Sequence, residues 1–158
     1  MSATAKTRIA PDATPSALDA TELAAWRGLL RVHASLMKSL DAEMEAAHHL
    51  ALTSYEVLIE LADAPDHRMR MCDLADSVLL SRSGMSRLVD RLERDGLLER
   101  AACPADARGS YAVITPAGLD VLVEARPTHH AGIRRRFLAH FSEDELHRLA
   151  EQWSRVAP

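Results

Sequence analysis

Residues 80–92 read Leu80-Ser-Arg-Ser-Gly-Met-Ser-Arg-Leu-Val-Asp-Arg-Leu92, and the fold turns on how this stretch is read. Met85, Leu88, Val89 and Leu92 fall at i, i+3, i+4 and i+7, so on a helix they make one narrow apolar stripe. Ser83, Arg87, Asp90 and Arg94 take the opposite pole, with Ser86 and Arg91 on its flanks. A helix anchored on one side and showing serine and arginine on the other suits the major groove of a DNA duplex. Arginine forks onto guanine edges, serine donates or accepts, and short side chains let the backbone come close. An ordinary surface helix also carries a polar outer face, so the flanking segments must decide.

Upstream, residues 72–78 give a short helix with Leu74, Ala75 and Val78 inward, and a turn through Leu79 and Leu80 reaches Ser81, a good N-cap. Short helix, tight turn and second helix with a polar pole make a helix-turn-helix. Downstream, Asp95-Gly96 ends the second helix, Gly96 supplying a left-handed residue and Leu97 the apolar contact after it. Residues 97–102 and 110–114 read as two strands joined by Cys103-Pro-Ala-Asp-Ala-Arg-Gly109, a loop punctuated by Pro and Gly. A hairpin directly after a helix-turn-helix is a wing. Arg108 near its tip suits a minor groove, and Asp106 can hold its guanidinium by a charge-assisted bond. The plainer alternative is a polar turn with an exposed ion pair worth little.

Farther out, Trp26, Leu29, Leu30, His33, Met37, Leu40 and Met44 hold one face of a helix expected over residues 19–47. A stripe of that length asks for a subunit partner. Thr53-Ser-Tyr-Glu56 has the form of a capping box opening a second helix over 54–63, which Ala64-Pro-Asp-His67 stops. Residues 68–71 alternate as a short edge strand does. Thr115 and Pro116 start a long helix to about residue 139, with Leu119, Leu122, Val123, Ile133 and Phe137 on one face and a kink at Pro127. Ser142-Glu-Asp-Glu145 caps a last helix whose apolar side is Leu146, Leu149, Trp153 and Val156.

The chain of 158 residues is sized for one sizeable core, with a mobile tail expected over 1–17. A formal net charge of -4 counts against a nucleic-acid binder, but over 79–92 the charges are Arg82, Arg87 and Arg91 against Asp90 alone. Two cysteines, Cys72 and Cys103, cannot form a secreted-type disulfide framework; Cys103 is expected exposed and oxidisable, Cys72 inert. Neither a signal peptide nor an apolar span is visible, which points to a cytoplasmic protein away from membranes. Phosphate-binding loops, nucleophile elbows and metalloprotease motifs are missing, so an enzyme is not expected. His48, His49, His129, His130, His140 and His147 have no recognised zinc spacing, and no metal or cofactor is assigned.

Leu74-Ala75, the helix over 81–94, Gly96-Leu-Leu-Glu-Arg100, the loop Pro-Ala-Asp-Ala-Arg-Gly109 and Ile114-Thr-Pro-Ala-Gly118 follow in order. Together they resemble the multiple-antibiotic-resistance regulator (MarR) family of transcription regulators, over residues 26 to the end. The wing and the Thr-Pro-Ala-Gly block are the most specific part. The family usually has Asp-Arg-Arg in the wing and Leu-Thr after the strand; here Ala107 replaces one basic residue and Ile114 precedes Thr115.

The resemblance implies a mainly α winged helix-turn-helix with a small β-hairpin wing. Residues 53–115 would be the DNA-binding region, and 18–50 and 116–158 dimerisation helices. It implies a homodimer on a pseudopalindromic double-stranded operator, acting as a repressor relieved by a small-molecule effector. The DNA contacts would be Ser81, Arg82, Ser83, Ser86, Arg87, Arg91, Asp106 and Arg108. Trp26, His33, Met37, Tyr55, Arg126 and His130 would line a site for an aromatic or phenolic carboxylate. A metal- or redox-responsive regulator of the same fold, or a winged helix that binds only protein, are the alternatives.

Overall fold

A computed structural model describes residues 17–78, 80–103 and 109–156. The order is α1 (Ala20–His48), α2 (Leu52–Asp63), β1 (Arg68–Arg70), α3 (Met71–Ser77), α4 (Arg82–Arg94), β2 (Leu98–Ala102), β3 (Ser110–Ile114), α5 (Pro116–Arg136) and α6 (Glu143–Val156), with 3-10 turns at Pro65–His67 and Leu138–His140. The fold is a winged helix, mainly helical with one small antiparallel sheet. The chain divides into two compact units at His33 and Ala34, a boundary inside α1.

In the first unit Asp19 caps α1: its Oδ1 accepts from the N–H groups of Thr21 and Glu22, and Glu22 Oε2 accepts from the Asp19 N–H at 2.8 Å. That is a reciprocal box satisfying donors the helix start leaves open. Trp26, Leu29, Leu30 and His33 are all exposed, Trp26 by 53%.

The second unit is built around α2, which touches α5, α3, β1 and β3. Leu52, Ser54, Tyr55, Val57, Leu58 and Leu61 are buried, so α2 is covered nearly all round. The Thr53 capping box does not form. Ala51 is the N-cap residue, and the Leu52 N–H donates to Asp41 Oδ1 at 2.8 Å, across from α1. A carboxylate from a neighbouring helix serves the helix start better than the local hydroxyl, because Leu52 and Ser54 must enter the core. Glu43 on α1 accepts from Arg135 and Arg136 at 2.8 and 2.7 Å, and these bonds hold its carboxyl below the usual range. Gly132 lets α5 come this close to α1: a Cβ there would lie 2.6 Å from Leu40 Cδ2.

The expected apolar face of α5 is partly corrected. Leu122 is buried, but Val123 is 64% exposed, and the small residues Ala125 and Gly132 occupy buried positions instead. α5 continues through Pro127 and ends at Arg136, short of residue 139. Ser142 and Glu145 do form the expected capping box at the start of α6: the Ser142 N–H donates to Glu145 Oε2 at 2.8 Å and the Glu145 N–H to Ser142 Oγ at 3.4 Å. The expected exposure of Cys103 is corrected: Cys103 is 6% exposed, whereas Cys72 is exposed and its thiol donates to Asp73 Oδ1.

The sheet order is β1-β3-β2, so the residue 68–70 edge strand is present and β3 is central. After α4, Gly96 takes φ 72°, its N–H donates to Glu93 O at 3.0 Å and the Leu97 N–H donates to Leu92 O at 2.9 Å, the paired bonds of a Schellman end. The Thr-Pro-Ala-Gly block then docks on that end. Thr115 N–H donates to Leu97 O at 3.1 Å, Thr115 Oγ1 donates to Gly96 O at 2.6 Å, and Oγ1 accepts from the Gly118 N–H at 3.1 Å. A Cβ on Gly118 would sit 2.1 Å from the Leu97 carbonyl oxygen and 2.7 Å from Ile114 Cγ1. Gly118→Ala should therefore destabilise the protein by about 1–3 kcal/mol despite the better helix propensity of alanine. Urea denaturation of the two proteins measures it; equal midpoints contradict this packing.

Candidate nucleic-acid interface

Ser81 Oγ accepts from the Gly84 N–H at 3.1 Å and so fixes where α4 begins. Met85, Leu88, Val89 and Leu92 are 0, 6, 0 and 1% exposed, so the stripe read from the sequence is the one that enters the core. The helix phase then puts Arg82, Ser83, Ser86, Arg87, Asp90, Arg91 and Arg94 outside, and all are exposed. Ser81 is exposed too, its hydroxyl within 3.3 Å of Ser83 Oγ. Arg82 and Ser86 also line an open cleft of about 350 Å³ with Arg70, Met71, Cys72, Gly109 and Ser110, between the start of α4 and the base of the wing. Asp106 and Arg108 lie outside the described residues.

Several arginines on or beside this face have partners within the protein, and Arg94 Nε donates to the Asp90 carbonyl at 3.3 Å. Arg91 donates to the Oγ of Ser54 at 3.1 Å, tying α4 to the first turn of α2; Ser54 is only 2% exposed. Arg100 on β2 reaches back over α4. It donates to Asp90 Oδ1 at 2.7 Å, to Glu93 Oε2, and more weakly to the Ser86 carbonyl at 3.4 Å. Desolvation alone would lower the Arg100 pKa, but the bonds to Asp90 and Glu93 outweigh it and leave the guanidinium more firmly charged than usual. The residues read from the sequence missed Arg100, whose place on a strand beside two helix carboxylates no periodicity signals.

The chain belongs to the MarR family. A relative 33% identical over 109 residues, covering 69% of this chain and 73% of its own length, is the HTH-type transcriptional regulator MhqR of Bacillus subtilis (strain 168). The family model described as MarR family matches residues 50–109, the stretch from α2 to the wing. Among solved structures, AbsC, a MarR family transcriptional regulator from Streptomyces coelicolor, is 33% identical with a TM-score of 0.81, over 90% of this chain and 95% of that one. Sco3205, a MarR family transcriptional regulator of the same organism solved in complex with DNA, is 31% identical with a TM-score of 0.83, over 90% of each chain. The relatives are transcription regulators, not enzymes, and so is the family to which this winged helix belongs.

The six residues read as an effector site are not equivalent. Trp26 and His33 belong to the first unit, where both are exposed. In the second unit, Met37 is half-buried against the core, Tyr55 is fully buried, and Arg126 and His130 are exposed. The neighbour of Tyr55 is His129 rather than His130, with ring centroids 4.7 Å apart and tilted by 54°. Helix phase explains the shift: residues 122, 125, 129 and 132 share the α5 face turned to the core. Burial raises the Tyr55 phenol above its usual pKa while the charge of Arg126 opposes that push. The Tyr55 hydroxyl and His129 Nδ1 are both buried without a hydrogen-bond partner among the described residues. Among the described residues no group of three or more His, Cys, Asp and Glu side chains could hold a metal ion, and no helix is long and apolar enough to cross a membrane.

Burial holds the His129 imidazole below its usual pKa, and the charge of His130 pushes the same way. The unfolded chain therefore binds this proton at higher pH than the folded one. The stabilisation from a neutral His129 is complete above about pH 6.5 and is lost as pH falls from there through the folded pKa. Between about pH 7 and about pH 5 the wild type should lose more unfolding free energy than His129→Asn. Urea titrations at the two pH values give that difference of differences, and equal losses contradict the buried neutral form.

Proposed function

We propose that the chain is a homodimeric, sequence-specific DNA-binding repressor of the cytoplasm. The observation that carries it is the split of α4: four apolar residues locked in the core, and a face of Ser83, Ser86, Arg87, Arg91 and Arg94 standing outside. The relative solved with DNA supports the same reading. Ser83, Ser86 and Arg87 would touch base edges in the major groove, with Arg82 and the Ser54-anchored Arg91 on phosphates, Ser81 at the helix start, and Arg108, held by Asp106, in the flanking minor groove.

Two copies pair through their terminal helices and space two recognition helices about one turn, ~34 Å, apart on a pseudopalindromic operator. In support, α6 has no buried residue although Leu146, Leu149, Trp153 and Val156 line one side, and Trp26, Leu29 and Leu30 of α1 are exposed. An aromatic or phenolic acid that engages Tyr55 and Arg126 would bias the spacing of the two winged units and weaken the grip. The support for that site is the buried, unpartnered Tyr55 hydroxyl with the Arg126 charge beside it.

Arg87→Ala should lower affinity for the cognate duplex by about 1–3 kcal/mol while changing binding to unrelated DNA far less. Fluorescence anisotropy with a duplex selected from a random pool checks this, and undiminished binding means that another face reads the bases. Sedimentation should return twice the chain mass, and Trp153→Lys should shift it toward one. A wild type that sediments as a single chain at micromolar concentration removes the dimer.

A further inference from the structure

α4 carries two carboxylates among its outward arginines: the side chains of Asp90 and Glu93 are 58% and 39% exposed. Bare carboxylates there would repel a phosphate backbone, since charges closer than a Debye length of about 8 Å are poorly screened. One side chain from the wing meets both. The terminal nitrogens of Arg100 donate to Asp90 and Glu93, and its backbone N–H donates to the other Glu93 oxygen at 3.1 Å. The guanidinium also reaches the carbonyl of Ser86, in the middle of the reading face, and only 29% of the Arg100 side chain is exposed.

We propose that Arg100 is a positioning residue for duplex binding: its single charge offsets part of the negative charge of Asp90 and Glu93, and it joins β2 to α4 so that wing and helix meet DNA as one body. The inference rests on the DNA-binding reading above. Both terminal nitrogens point at protein acceptors, so Arg100 acts through the two carboxylates rather than by gripping phosphate. A planar guanidinium can hold two carboxylates on different turns of a helix; a lysine, with a single point charge, cannot match that geometry.

The test uses the full chain, the duplex it selects from a random pool, and an unrelated duplex of the same length. Arg100→Gln, which keeps an amide donor but removes the charge, should weaken binding to the selected duplex by about tenfold. Adding Asp90→Asn and Glu93→Gln to that variant should bring affinity back to within about threefold of wild type, while its melting temperature stays at the Arg100→Gln level. A purely structural role would not give that separation. Asp90→Asn with Glu93→Gln in the presence of Arg100 should bind at least as tightly as wild type. The proposal is overturned if Arg100→Gln binds normally, if the triple variant stays as weak as Arg100→Gln, or if the double variant loses tenfold. A wild type that selects no duplex overturns the DNA-binding reading itself, which is a different result.

Discussion

The carbonyl of Leu97 is where the architecture is pinned. It accepts the Thr115 N–H and leaves no room for a side chain at Gly118, so the first turn of α5 sits directly on the end of α4. The Schellman bonds of Gly96 and Leu97 and the Thr115 hydroxyl on Gly96 close the same knot. Three elements thereby share one origin: the helix that shows arginine, the hairpin that leaves it, and the long helix that returns to α1 and α2. Rotation of α4 about its axis would break these bonds and lift Leu88 or Met85 from the core, so its outward face is set by constraints at both ends and along its length.

Much of this is legible in the sequence because the signals are local. Met85, Leu88, Val89 and Leu92 share a stripe, Ser81 and Gly96 punctuate its ends, and each of these residues does what its chemistry favours. The 68–70 strand and the 142–145 cap were readable for the same reason. Local signals failed where a distant partner intervened. Thr53 and Glu56 have the spacing of a capping box, yet Asp41, eleven residues before Leu52, supplies the cap. The buried face of α5 escapes hydrophobic periodicity because Ala125 and Gly132 are small: close approach of two helices selects little side chains, whereas hydrophobic bulk points to Val123 instead. His129 and His130 differ by one position, which on a helix is a turn of about 100°, enough to decide which of them meets Tyr55.

The interface was legible in part for a related reason. Residue type and helix phase mark Arg87 and Ser83 as outward, but they say nothing about which arginines already have partners. Arg91 is bound to Ser54, and Arg100, absent from any periodic pattern, is bound to the two helix carboxylates. Whether a cation faces a ligand or its own protein is a tertiary property.

That distinction also answers the objection raised by a net charge of -4. A duplex responds to the charges within a Debye length of its phosphates, not to the total carried by the chain. Within that shell the exposed α4 side chains are Arg82, Arg87, Arg91 and Arg94 against Asp90 and Glu93, and the carboxylates are the two that Arg100 engages. Three of the other acids are engaged away from this face: Glu43 is paired with Arg135 and Arg136, and Glu145 and Glu22 accept backbone N–H bonds at the starts of α6 and α1. Segregation of this kind lets an acidic chain present a basic face. It places the sensitivity of that face in the ion pairs beneath it, because removing one internal cation changes the local field by exposing anions as well as by subtracting a charge.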